Sequence, residues 1–348
     1  MVQSVKLAGT FEVWSAVAQQ GMVPFDKVDE DEKNGLGARV RRVGGRVKRA
    51  GRAAVRGESA VARGILLTLL GGTFWGINGT LSKVLMGTYG VQPLWLACVR
   101  ELSACWLFLI AGHLTSPERL RGVLHDGRSL LSILGIAVGS ILFSQVAYLE
   151  AINWTNSATA TILQSLSVVI VMVYVCIVNR RRPRRRELIG LVLAVAGTYL
   201  VATGGDPTKL ALPPQGLAWG MGCAVAATIL AIQPVRMITR WGNFAVNGLA
   251  FLFSGIILTI AYQPWAHMPT LDAAGVALVL LSVVLGTFGA YALYLQGVKE
   301  VGSVRGSMLG TSEPVMATIS SVVWLGAVFT PMDLLGFLMI IVMVFLTA

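Results

Sequence analysis

Five hydrophobic spans between Gly64 and Gly204 are echoed by five more between Gln215 and Ala348, and no other feature of this 348-residue chain limits its fold as strongly. A constant shift of 146 residues superposes Tyr148 on Tyr294, Leu149 on Leu295, Ser157 on Ser303, Leu163 on Leu309 and Gly190 on Gly336. Each copy holds an odd number of spans, so the second enters the membrane from the opposite side to the first. The expected fold is an all-α membrane protein of ten transmembrane helices, arranged as two inverted five-helix repeats. The first repeat covers 64–204, a linker 205–214 and the second repeat 215–348.

Composition agrees. The chain is 55% hydrophobic and 13% charged, with a mean hydropathy of +0.71, whereas a soluble domain carries about 25% charged residues. The first 63 residues are polar and lack the apolar centre and small-residue cleavage site of a secretory signal, so the first span is expected to stay in the membrane. This extension joins an acidic cluster (Asp26, Asp29, Glu30, Asp31, Glu32) to an arginine-rich stretch from Arg39 to Arg63 that also holds several glycines. It reads as a disordered cytoplasmic tail lying on anionic inner-leaflet lipid. An incidental extension or an upstream start codon is the plainer account of it than a regulatory arm.

The expected spans are 64–87, 93–114, 129–152, 157–179, 187–204, 215–237, 244–263, 275–298, 303–326 and 332–348. Most reach the roughly 20 residues a helix needs to cross the hydrocarbon core. The fifth and tenth are short, and the last reaches the end of the sequence with no basic tail. With the N-terminus in the cytoplasm, the inner loops carry Arg119, Arg121, Arg128, Arg240 and six arginines between Arg180 and Arg186. The outer loops hold a single basic residue, Lys209. That asymmetry fixes the expected orientation, with both termini cytoplasmic in the inner membrane. It also explains the net charge of +11 without nucleic acid as a partner.

Several polar residues fall inside these spans. Ser157, Thr161 and Ser165 lie four apart on one helical face, and Ser303, Ser307 and Thr311 repeat the stripe; Gln164 widens it. Gln145 and Tyr148 in span three correspond to Tyr291 and Tyr294 in span eight. Such groups either line a wet cavity or hydrogen-bond between helices. Trp75, Asn78 and Ser82 share a face of span one. Glu313 precedes Pro314 in span nine, and the proline is expected to free the Gly310 carbonyl and bend the helix. Its carboxyl either holds a cation, proton or amine, or pairs with Arg305 or another helix. Lys83 and Glu150 read as snorkelling to the interface, whereas Arg100, deeper in span two, reads as an inward pairing or an anion contact.

No catalytic set emerges, and the three histidines lack metal-ligand spacing, so neither metal nor cofactor is expected. The four cysteines lie within spans without a disulfide pattern.

The pieces Trp75-Gly76 with Asn78 and Lys83, Pro93 with Arg100, Tyr148 to Ala151 with Ala158 to Ala160, and Leu188-Ile189-Gly190 with Ala196-Gly197 resemble the EamA-type transporters of the drug/metabolite transporter superfamily. In the second copy, Glu313-Pro314-Val315, Leu325-Gly326 and Leu335-Gly336 extend the resemblance, which covers about 65–348. It implies ten helices and alternating access, or facilitated passage, of small polar metabolites, with amino acids and related amines a frequent and often exported class. Two departures stand out. Val168 replaces the family's proline in span four, so that helix is expected to lack a kink, and Ala327 replaces an acidic residue.

The expected function is secondary, non-ATP export of a small polar organic solute, most plausibly an amino acid or related metabolite. The proposed solute contacts are Trp75 and Asn78 on span one, Gln145 and Tyr148 on span three, and Thr161 and Gln164 on span four. Tyr291, Tyr294, Ser307 and Thr311 complete them from the second copy, with Glu313 and Arg100 as charge or coupling groups. A lipophilic-cation exporter is the alternative within transport; a non-transporting scaffold or sensor is the alternative outside it. No sequence feature fixes an oligomeric state.

Overall fold

The computed structural model describes residues 61–206 and 208–347. The first 60 residues, which contain nearly all of the basic extension, lie outside the described residues, as do the side chains of Ser303 and Ser307. Among the described residues the secondary structure is helical throughout. Eight helices are long and apolar enough to cross a membrane: α1 (Val61–Thr88), α2 (Pro93–Thr115), α4 (Gly127–Trp154), α5 (Ser157–Val178), α6 (Arg185–Thr203), α7 (Pro214–Ile232), α9 (Asn243–Tyr262) and α10 (Ala273–Val301). Short helices α3 (Pro117–Leu124) and α8 (Val235–Trp241) lie between them, and α11 (Ser303–Leu309), α12 (Ser312–Leu325) and α13 (Pro331–Thr347) complete the chain.

The difference from ten expected spans has a local cause. The stretch expected as span nine is interrupted at Gly310–Thr311, leaving α11 and a 14-residue α12, and α13 has 17 residues.

Helix ends follow sequence chemistry. Pro93, Pro214 and Pro331 open α2, α7 and α13, where the missing N–H has no intrahelical partner to lose. Asp126, Asn156 and Asp272 cap α4, α5 and α10 by accepting backbone N–H groups of the first turn. Gly204 and Gly326, at φ +62° and +61°, end α6 and α12 in the left-handed conformation that glycine adopts without a Cβ penalty.

Irregularities recur at matching places in the two halves. A π-helical turn lies at Ala137–Leu142 in α4 and at Ser282–Gly289 in α10. A 3₁₀-like break lies at Ser165–Leu166 in α5 and at Gly310–Thr311 between α11 and α12. Val168 takes the family's proline out of this stretch, yet the helix still tightens at Ser165–Leu166. Hydroxyls act there in place of proline: Ser165 Oγ donates to the Thr161 carbonyl at 3.0 Å and Thr311 Oγ1 to the Met308 carbonyl at 2.7 Å, competing with the backbone ladder.

Packing sets the site. α2 lies along α9, α6 along α13, and α7 against α4 and α5, while α5 also meets α12. α1 closes on α10 through Gly64, Gly71 and Gly297, and on α12 through Gly72 and Gly76. One apolar core joins α2, α4 and α9 around Phe108, Phe251 and Ile133; another joins α5, α6, α7 and α13 around Leu163, Ile340 and Met343. Outward faces bear large apolar side chains such as Trp106, Leu131, Ile177 and Val323, a surface that lipid solvates and water does not. Cys98, Cys105, Cys176 and Cys223 are free and buried.

Candidate functional site

A cavity of 440 Å³ runs between the halves, from Trp75 and Glu313 at its deep end to Arg181 and Glu187 at the six-arginine loop. Trp75 is placed by its glycine neighbours. A Cβ on Gly76 would lie 2.8 Å from the Ala317 N and collide with the Glu313 carbonyl oxygen, so α1 can approach α12 only because both Gly72 and Gly76 lack one. The Trp75 ring stands 4.9 Å from Tyr291, edge-on, and 4.8 Å from Tyr294. Trp75 and Tyr294 form the aromatic floor, with Tyr291 behind them.

Glu313 enters the cavity from the first turn of α12, directly after the break. Its carboxyl forms no hydrogen bond or ion pair with any described residue, Arg305 included. The expected free carbonyl beside it is not present. The Glu313 N–H closes the turn onto the Gly310 oxygen at 3.0 Å, because the break shortens the ladder by one residue just before Pro314. Gln164, Ser165 and Thr311 add neutral polar groups, and Val168, Val171 and Val175 an apolar wall.

At the mouth, Glu187 receives two hydrogen bonds from Arg181, each 2.8 Å, and a third from the Arg184 N–H at 2.6 Å. The paired carboxylate holds the Arg181 proton more tightly than usual. This acid is therefore neutralised, and Glu313 is the acidic group of the cavity that is not.

Four hydroxyls that do not line the cavity cluster further along α1, α5 and α12. Thr80 Oγ1 lies 2.8 Å from Ser157 Oγ and 2.6 Å from Ser320 Oγ, and Ser157 Oγ lies 2.7 Å from Ser321 Oγ. All four are buried and tie α1 and α5 to α12. Lys83, expected at the interface, is half-buried near the end of α1. Its Nζ donates to the Ile152 and Asn153 carbonyls at 2.9 and 2.7 Å, supplying donors that the end of α4 lacks.

Of the residues expected at the site, Trp75, Gln164, Tyr294, Thr311 and Glu313 line this cavity. Asn78 does not: it accepts a 2.6 Å hydrogen bond from Ser282 Oγ and packs on Gly286, spanning α1 and the π turn of α10. Tyr148 sits over Gly79 with its hydroxyl 3.3 Å from Thr161 Oγ1. Thr161 and Gln145 are buried, and Tyr291 packs edge-on behind Trp75 against Phe108 and Phe251. Arg100, 4% exposed, donates from Nε to Thr287 Oγ1 at 3.2 Å. Ser307 lies outside the described side chains. The four-hydroxyl cluster was not foreseen beyond Ser157. The adjacent pair Ser320-Ser321 in an apolar span was its signal.

The sequence profile of the EamA-like transporter family matches residues 62–203 and again 214–348. The chain belongs to this family. Its members are membrane transporters and not enzymes, and this chain is a transporter of that type. It is 30% identical over 278 residues to the "Uncharacterized inner membrane transporter YicL" of Salmonella typhimurium, covering 80% of this chain and 92% of that one. It is 25% identical over 291 residues to another protein of the same organism, named "Probable amino-acid metabolite efflux pump", covering 79% and 91%. A solved crystal structure with 17% sequence identity shares the fold, with a TM-score of 0.56 over 83% of this chain and 96% of that one.

Proposed function

We propose that this EamA-like transporter exports small polar organic solutes, chiefly amino acids and related metabolites, across the inner membrane. One observation carries the reading: the Glu313 carboxyl faces a 440 Å³ cavity beside Trp75 and Tyr294 with no partner among the described residues. An ionisable group in a membrane-embedded cavity is costly and is kept for a ligand or a proton. An amine held there gains a carboxylate contact and the negative faces of two aromatic rings. Gln164, Ser165 and Thr311 supply hydrogen bonds for the remaining polar atoms. A proton and an amine compete for the same carboxyl, which makes Glu313 the coupling group. The two Salmonella typhimurium relatives, one named an amino-acid metabolite efflux pump and one an inner membrane transporter, support solute class, direction and membrane.

In this reading the ten spans form two inverted copies. Exchanging the copies turns the α1–α10 pairing into α7–α4 and leaves α2–α9, α5–α12 and α6–α13 unchanged, as a pseudo-twofold axis requires. With the six-arginine loop in the cytoplasm and the basic tail on anionic lipid, the cavity is open inward and the hydroxyl cluster is the closed outer gate. Alternating access then means opening the cluster and closing the mouth.

The apolar wall of Val168, Val171 and Val175 favours one second reading, export of lipophilic cations. Protein reconstituted in liposomes separates the two. The leading reading expects flux of labelled amino acids down a gradient, lost in Glu313→Gln. Flux confined to lipophilic cations supports the second, and no flux across a broad solute panel contradicts both.

A further inference from the structure

Among the described residues, six buried side-chain polar atoms have no hydrogen-bond partner, and every one belongs to α2 or α9. They are Trp95 Nε1, Arg100 Nη1 and both carboxyl oxygens of Glu101 on α2, with Ser254 Oγ and Thr259 Oγ1 on α9. Buried hydroxyls elsewhere, such as Thr80, Ser157 and Ser320, are satisfied. Concentration of unmet groups at one helix pair needs a physical cause.

Glu101 is 0% exposed. It follows Arg100 by one residue and so projects from a different side of α2. It packs on α9, where a Cβ on Gly255 would come 3.2 Å from the Glu101 Cβ. Ser254 faces Glu101, and Thr259 faces Cys98, neither in hydrogen-bond geometry with its neighbour. The charged and titratable groups around the carboxyl are Arg100, Cys98 and Cys105 on α2 and Tyr291 on α10; α9 contributes no charged residue. Arg100 directs its Nε to Thr287 rather than to Glu101.

Two acceptors on one helix thus confront unmet donors on the other, the Ser254 and Thr259 hydroxyls. A bare carboxylate is not sustained in such a place, whereas a carboxylate that gathers these donors is. We propose that Glu101 is a proton-binding site, distinct from Glu313, that holds its proton in this packing of α2 on α9 and selects a second, shifted packing when it releases it. In the shifted packing the carboxylate accepts from Ser254 and Thr259. The joint is built for shear, since Gly248 and Gly255 of α9 present bare backbone to Leu109 and Leu102 of α2. Movement of α2 carries Arg100, and through its bond to Thr287 pulls on the π turn of α10 below Tyr291 and Tyr294. Protonation of Glu101 therefore reaches the aromatic floor of the cavity without touching the solute.

The test uses full-length protein in lipid nanodiscs with spin labels at the exposed positions Leu114 and Ile260, one on each helix. No solute is needed, so its outcome is independent of the transport reading. Between about pH 5 and about pH 9, a range wide enough for a buried carboxyl, the distance should change by roughly 2 Å, the scale of interfacial helix shifts. Glu101→Gln should hold the acidic distance throughout, and Glu313→Gln should still shift. Ser254→Ala, which removes a donor needed only by the ionised form, should move the transition to higher pH. A parent distance that ignores pH overturns the proposal. So does an unchanged transition in Glu101→Gln or, if that variant does not fold, in Ser254→Ala.

Discussion

Thr80 Oγ1 on α1 and Ser320 Oγ on α12 stand 2.6 Å apart, joining the first half of the chain to the second through a single buried hydrogen bond. With Ser157 and Ser321 they form a closed polar cluster in an otherwise apolar layer. A hydroxyl cluster is a fitting gate: each bond contributes only about 1 kcal/mol net, so the set holds a state without trapping it.

If the cluster is the outer gate, cross-linking it must stop transport. The double variant Thr80→Cys, Ser320→Cys should lose at least tenfold of its flux on oxidation and regain it with reductant, while each single variant keeps most of its activity. Undiminished flux in the oxidised protein would place the gate elsewhere.

Glu313→Gln should lower transport about tenfold or more, equivalent to roughly 1.4 kcal/mol of lost solute interaction. Because the Glu313 carboxyl has no partner among the described residues to leave behind, thermal stability in detergent should stay level or rise. A variant that unfolds at lower temperature would identify a structural glutamate instead.

Gly76→Ala should destabilise by about 1–3 kcal/mol through overpacking against α12. Gly87→Ala, on the same helix with nothing within 4 Å of its added Cβ, should be neutral or mildly stabilising. Thermal denaturation of the two variants side by side measures the difference.

Asp126 lies in the loop before α4, where the Ser129 hydroxyl, backbone N–H groups and Arg240 hold its carboxyl below the usual carboxylate range. A depressed value means that its contribution is present above the ordinary carboxylate pKa and lost as pH falls through the folded one. Asp126→Asn should melt below the parent at about pH 6, with the gap closing toward about pH 3. A gap that does not depend on pH would mean that the charge is not what matters.

Much of the fold was legible because lipid imposes simple rules. The first eight expected spans, from 64–87 to 275–298, coincide closely with the eight long apolar helices. The break in α5 was not legible, since Val168 removed the proline cue and the hydroxyl of Ser165 acts only once the helix is formed. At the site, Trp75, Gln164, Tyr294, Thr311 and Glu313 fell together as their helical faces required. Asn78 shares a face with Trp75, and Tyr148 lies on α4, which does not line the cavity; both sit in helix contacts, where Gly286 and Gly79 receive them. Such a match depends on a partner helix far away in sequence, and periodicity within one span cannot see it. The Glu101 seam was hidden for the same reason: its unmet donors lie about 150 residues further along the chain.

The inverted duplication is the claim on which the solute path depends, and labelling of two single cysteines tests it most directly. Arg182→Cys in the six-arginine loop and Val328→Cys, 146 residues on and 92% exposed, occupy equivalent positions in the two copies. In a cysteine-free background, a membrane-impermeant maleimide should label position 182 only in inside-out vesicles and position 328 only in right-side-out vesicles. Labelling of both from the same side would contradict the inverted layout and the passage proposed between its halves.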